Sequence, residues 1–252
     1  MASPVFTRNP NFNPQQGYLP PALNEGVGSG PVMTLENTLQ KTVMTFGVLL
    51  VAAAIGWFIP ILTLPAAVIA LTLGLVNAFK KEPSPALIIA YAVAEGAMIG
   101  GFSSIMESMY PNIASQAVLG TICVVAVVLF LYKTGLVRAS ARATKVFLVA
   151  MIGYLLFSLV NFGLMVTGVS TDPWGLRGSV MIPGTEIPMG IALGAFAVIL
   201  GAYSLIMDFT FIEQGSANRL PEKYGWTAAF GITVTVVWLY VEILRMLALS
   251  RR

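Results

Sequence analysis

Three carboxylic acids interrupt long apolar runs in this chain: Glu95, Asp208 and Glu242. An ionisable side chain at hydrocarbon depth is costly, and is therefore a functional candidate by default. Glu107, Glu186 and Glu213 fall at the ends of such runs, where water reaches them, and are weaker candidates. Carboxylate oxygens suit a hard cation such as calcium, which makes Asp208 and Glu242 candidate ligands for a transient cation. Two carboxylates brought together in low dielectric cannot both ionise cheaply and tend to share a proton. Protonation near neutral pH would then bias one helix arrangement over another, which is a physical recipe for a pH-gated cation path. Glu95 has a second reading, as a protonated acid hydrogen-bonded between helices for packing alone. Glu242 and Arg245 are three residues apart and hence share one helix face. Either they neutralise one another near the membrane surface, or Arg245 sets the charge of an acid that faces the interior.

Other chemistry has little to work with. The chain has no histidine, so the commonest general base and the commonest metal ligand are missing, and Cys123 has no intrachain partner. Ser103 and Ser104 have no identifiable base, and no nucleophile constellation or metal motif occurs, so no enzyme and no resident cofactor are expected. The net charge of +3 comes from the flanks of apolar segments and does not point to nucleic acid.

The elements that must hold these acids are membrane helices. Of 252 residues, 57% are apolar and 10% charged, where an ordinary soluble domain has about 25% charged, and the mean hydropathy is +0.82. A span needs about 20 apolar residues. The uncharged runs predict an all-α, polytopic membrane bundle of about seven helices over residues 34–252. Its spans are expected at about 42–58, 65–79, 86–106, 112–132, 146–166, 189–212 and 226–249. Thr34 is placed to start the first helix, with Glu36 in its first turn. Residues 1–33, rich in Pro, Asn and Gln, are expected to be a disordered cytoplasmic tail without a signal peptide. Residues 168–188 form the longest connection, with Asp172, Trp174 and Arg177, and such a loop is expected to fold over a membrane face. Small residues recur at Gly96, Gly100 and Gly101 and at Gly190, Gly194 and Gly201, and tight helix packing is the preferred account of them.

Charge bias orients the bundle. With the N-terminus in the cytoplasm, ten of the fourteen Lys and Arg residues lie inside: Arg8, Lys41, Lys80, Lys81, Lys133, Arg138, Arg142, Lys145, Arg219 and Lys223. Arg177, Arg245, Arg251 and Arg252 lie outside. The terminal pair dissents, since a re-entrant last segment would return the C-terminus to the inside.

Four segments together resemble a known family. SLIMDFTFIEQ at Ser204–Gln214, WLYVEILRML at Trp238–Leu247, AEGAMIGGFSSI at Ala94–Ile105 and AVLGT at Ala117–Thr121 are similar to the Bax inhibitor-1 family of membrane proteins. The resemblance covers the helical part of the chain, with the proline-rich tail outside it. It implies a bacterial inner-membrane bundle with a central sixth or seventh helix, acting as a pH-sensitive calcium leak. Asp208 and Glu242 then stand where the family has paired acids, the second being Glu rather than Asp. Lys80 or Lys81 matches a basic residue at the inner end of the second helix. The family is also linked to stress survival and to inhibition of membrane proteases, so a non-transporting regulator that binds a membrane protease or another integral membrane protein is the alternative. Beyond the lipid bilayer, partners and oligomeric state are left open. One departure matters: the stretch from Tyr224 to Glu242 is about two turns longer than the family pattern, a shift of about 11 Å. Either Asp208 and Glu242 pair directly, which needs the intervening loop to climb back or the helices to overrun the membrane, or the three acids form a ladder, with Glu242 outermost, Glu95 near the middle and Asp208 innermost.

Overall fold

The computed structural model of the chain describes residues 31–251. The tail expected over residues 1–33 lies outside the described residues except for Pro31, Val32 and Met33. At Thr34 the backbone is extended, and a reciprocal cap starts the first helix: the Thr34 hydroxyl accepts from the Asn37 N–H at 3.2 Å, and the Asn37 side chain accepts from the Thr34 N–H at 3.0 Å. Helix α1, Leu35–Phe58, ends where Pro60 forces a short 3-10 turn, Pro60–Leu62, into α2, Thr63–Phe79. Next come α3, Pro85–Met109, and α4, Ile113–Lys133. Left-handed Asn112 makes the turn between them, and the Glu107 carboxylate accepts from the N–H groups of Asn112 and Ala114. Ser140 caps α5, Ala141–Val166, by accepting from the Ala143 N–H. A four-residue helix, α6 at Leu176–Ser179, sits in the long connection that leads to α7, Met189–Ala217, and α8, Tyr224–Ser250, closes the order. Among the described residues there are no strands, only the bridges Val32 to Pro221 and Met181 to Pro188.

Seven of these helices, with Pro60–Leu62 continuing into α2, are long and apolar enough to cross a bilayer. The protein is an integral multi-pass membrane protein. At a rise of about 1.5 Å per residue, α7 extends about 44 Å and α8 about 41 Å, more than the roughly 30 Å hydrocarbon core. Large apolar side chains stay on the surface, among them Phe58, Ile61, Leu64 and Val149, each more than 70% exposed. Lipid, not water, is the environment that makes such a surface cheap.

The chain divides into two compact units, Met1–Ser104 with Met207–Val234, and Ile105–Ile206 with Thr235–Arg252. In the first, α1 and α3 meet backbone to backbone. A Cβ on Gly96 would overlap the Leu49 carbonyl, and one on Gly100 would overlap the Ala53 carbonyl, so only glycine admits this approach. Tyr91 meets Phe230 edge-on at 5.0 Å, inside a cluster with Ala70, Ile88 and Ala94. Outside the spans, Lys223 lies 3.0 Å from Glu82, whose carboxylate holds the ammonium above the usual lysine range. That exposed contact adds little stability. In the second unit, Gly201 and Gly194 of α7 lie against Leu239 and Met246 of α8. Tyr203 reaches Thr144 at 3.0 Å, and Ser204 reaches Thr235 at 3.3 Å. Helix α8 is unbroken, and Arg251 just beyond it donates to the Pro111 carbonyl at 2.7 Å and to Gln116.

Gly100→Ala forces a methyl group onto a backbone carbonyl that has no rotamer to move. It is expected to cost about 1–3 kcal/mol, visible as a lowered melting temperature in mild detergent. Gly47→Ala, on α1 with open space around it, should not lower the melting temperature. Equal behaviour of the two variants would contradict the contact.

Candidate functional site

The turn of α8 that reads Glu242-Ile243-Leu244-Arg245 places a carboxylate and a guanidinium on one face, and they meet: Arg245 Nη1 lies 2.6 Å from Glu242 Oε1. The second oxygen is taken from another direction. Arg177, on α6, brings Nη1 to 3.3 Å from Glu242 Oε2. Its Nη2 donates to Ser158 Oγ at 2.8 Å and to the Tyr154 hydroxyl at 3.0 Å. The guanidinium lies over the rings of Tyr154 and Phe157, at 5.0 and 5.6 Å. Tyr154, Phe157 and Ser158 present one face of α5, and Tyr154 packs at 5.9 Å against Trp238, one turn before Glu242 on α8. Glu242 is 2% exposed and Arg177 3%. All of these residues belong to the second unit.

Arg177 is a loop residue, and local chemistry drives it inward. Asp172 accepts from the Trp174 N–H at 2.7 Å, which tightens the turn. Gly175 takes φ 61°, and a Cβ there would strike the Asn161 side chain. Asn161, buried on α5, donates to the Trp174 carbonyl at 3.2 Å and accepts from the Leu176 N–H at 2.7 Å. The long connection is thus hooked to α5 on either side of Gly175, and Arg177 enters the bundle from that fixed point. Gly190 at the start of α7 packs against the Arg177 backbone from behind.

One carboxylate between two guanidinium groups leaves an excess positive charge, with Glu242 and Arg177 buried and Arg245 24% exposed. Removing charges from water is expensive, and such a cluster is held only when every partner is present. Hydrogen bonds from Arg177 to Tyr154 and Ser158 use the donors that Glu242 cannot reach. Both Glu242 oxygens are engaged, so in this arrangement they are not offered to a cation.

The other two candidate acids lie in the first unit. Glu95, on α3, is 9% exposed and makes no hydrogen bond or ion pair among the described residues. A buried carboxyl group without a hydrogen bond is uncommon. Asp208 is 3% exposed, about 14 Å from the C-terminal end of α7, whereas Glu242 is about 27 Å along α8 from its start. Lys80 and Lys81 are exposed at the end of α2, where they line a small open hollow with Asn77, Pro83, Ile88, Thr227 and Phe230. Glu186 and Glu213 are exposed, and Glu107 serves the turn into α4. No group of three or more His, Cys, Asp or Glu close enough to hold a metal occurs among the described residues.

Sequence reasoning paired Glu242 with Arg245 and missed Arg177. A signal existed. By the charge bias, Arg177 is the one basic residue on any connection placed outside, against the preference that set the orientation. A basic residue where the bias disfavours one calls for a local partner.

A family model described as Bax inhibitor 1 like matches residues 3–252, and so includes the proline-rich segment that the four sequence motifs left out. No curated protein matches the chain.

Arg177→Met takes one of two guanidinium partners from Glu242 and a donor from each of the Tyr154 and Ser158 hydroxyls. The expected cost is about 3–5 kcal/mol, the usual penalty for breaking a buried pair from one side. Arg177→Met with Glu242→Met should recover most of that loss in a detergent melting experiment. Additive losses would mean that the two side chains do not interact.

Proposed function

The chain belongs to the Bax inhibitor 1-like family, and on that premise we propose that it is a passive cation leak of the membrane, with calcium as its substrate and intramembrane carboxylates as the groups that meet it. The observation that carries this reading is Glu242, a buried acid with both oxygens occupied by Arg177 and Arg245. A packing role alone would be served as well by apolar side chains of similar volume. A charge cluster that can be undone serves as a lock.

In this account the structure is the closed state. The surplus positive charge repels a cation at this level, and the latched connection covers the lock. Opening requires Arg177 to leave Glu242, which frees carboxylate oxygens for a hard cation. Asp208 and Glu95, in the first unit, are further buried acids that can offer oxygens to a cation. No resident metal is needed, because conduction requires binding weak enough to release the ion. Lys80 and Lys81 act at the cytoplasmic end of α2 as flanking charges, with the N-terminus inside.

Purified protein in calcium-free liposomes tests the reading. Wild type should admit calcium. Arg177→Gln, which frees the Glu242 carboxylate, should raise the flux several-fold, and Glu242→Gln and Asp208→Asn, which remove carboxylate oxygens, should lower it. Absence of flux, or flux unchanged by all three substitutions at every pH, rejects the leak. A membrane protease or other integral protein that co-purifies stoichiometrically and is retained after the acids are neutralised would favour the regulator instead.

Orientation has its own test. With Cys123 replaced by Ser, a membrane-impermeant maleimide added to intact cells should label Glu186→Cys and leave Lys81→Cys unlabelled. The reverse pattern contradicts a cytoplasmic N-terminus.

A further inference from the structure

Pro31, Val32 and Met33 precede the first span, and a stretch this close to a polar tail has no apolar run to bury. Even so, Met33 is 1% exposed, packed among Phe211 and Ile212 of α7, Leu220 of the α7–α8 connection, and Tyr224 and Ala228 of α8. The backbone docks with it. Met33 N–H donates to the Leu220 carbonyl at 2.6 Å, the Glu222 N–H donates to the Pro31 carbonyl at 2.9 Å, and Val32 bridges antiparallel to Pro221. Asn37 Nδ2 donates to the Val32 carbonyl at 2.9 Å, which ties the docked strand to the cap of α1. Lys41, one turn further along α1, reaches the Glu222 carboxylate at 2.8 Å and its backbone carbonyl at 3.0 Å. Gly215 allows the approach: a Cβ there would sit 2.9 Å from the Met33 sulfur. All of these groups lie in one compact unit.

We infer that residues 31–33 are a releasable clip that holds the end of α7 against the start of α8, so that the N-terminal segment regulates the acid site on α7. The clip is short, with one bridge made of two backbone hydrogen bonds, one hydrogen bond from Asn37 and one buried side chain. A contact of that size opens far below the free energy of global unfolding. Its consequence is out of proportion to its size because, among the described residues, Met33 is the one side chain in this cluster from outside the two helices and their connection. Withdrawing it leaves a void between α7 and α8, which the helix ends close by moving together. Phe209 packs on the same cluster, and its neighbour in sequence is Asp208, so the turn that carries the acid is the turn that loses support. A segment that binds one arrangement of two helices better than another shifts their populations. This deepens the leak reading and rests on it for the meaning of Asp208, but the clip itself is read without any ion.

Hydrogen exchange on the full chain in lipid nanodiscs is the test. Met33→Gln should accelerate exchange about tenfold at residues 31–34, 207–217 and 218–225, leaving α4 and α5 unchanged. Acceleration confined to 31–34, or none, overturns the inference. Should Met33→Gln lose protection in every helix, Val32→Cys with Pro221→Cys and Cys123→Ser decides. The oxidised form should exchange more slowly than wild type at 207–217 and return to the wild-type rate on reduction, and no difference between the two forms overturns the clip. Calcium flux measured on the same variants separates the two ideas: altered exchange without flux in any variant keeps the clip and removes the leak.

Discussion

Glu242 has two guanidinium groups on its carboxylate and almost no water, and much of the second unit is arranged around that fact. An ion in a low-dielectric interior must be matched by charge and by hydrogen bonds, or the segment that carries it does not stay there. Matching Glu242 requires Arg177, and Arg177 can arrive only from a connection bent inward at Gly175 and hooked to Asn161. Tyr154 and Ser158 on α5 complete the donor set, and Trp238 on α8 supports Tyr154. One carboxylate therefore fixes the path of a loop, the rotation of α5 and the face that α8 turns inward.

The first unit solves its packing by different means. Within the bilayer no hydrophobic gain distinguishes helix from lipid, so close approach supplies the attraction, and Gly96 and Gly100 make it available to α1 and α3. Where the end of α7 meets the start of α8, Met33 fills the gap between two helices. Glu95 and Asp208 are held inside this framework, and the distinction between a firmly matched acid and an unpartnered one is the strongest asymmetry among the three.

Much of the architecture was legible because the bilayer imposes a length. Apolar runs of about 20 residues between charged flanks mark spans without reference to tertiary contacts. The same holds for Thr34, whose cap is local chemistry, and for the contact of Glu242 with Arg245, which helix periodicity dictates. Arg177 was not legible as a partner, since its contact spans 65 positions of sequence and depends on a turn set by Asp172, Gly175 and Asn161. Met33 was hidden for another reason: it sits beside a polar, proline-rich stretch whose composition predicts no burial, and its pocket is assembled from the far end of the chain. The small-residue pattern showed that helices pack closely but not which ones.

Solid-state nuclear magnetic resonance in lipid bilayers reads the central contact directly. Protein with 15N-labelled arginine guanidinium groups and 13C-labelled glutamate, carrying Arg245→Lys so that Arg177 is the only guanidinium left at this carboxylate, gives one distance. Dipolar dephasing between Arg177 and the Glu242 carboxyl carbon that matches the 3.3 Å nitrogen to oxygen contact is the expected result. A Glu242 carboxyl with no nearby guanidinium nitrogen would contradict the lock and everything built on it.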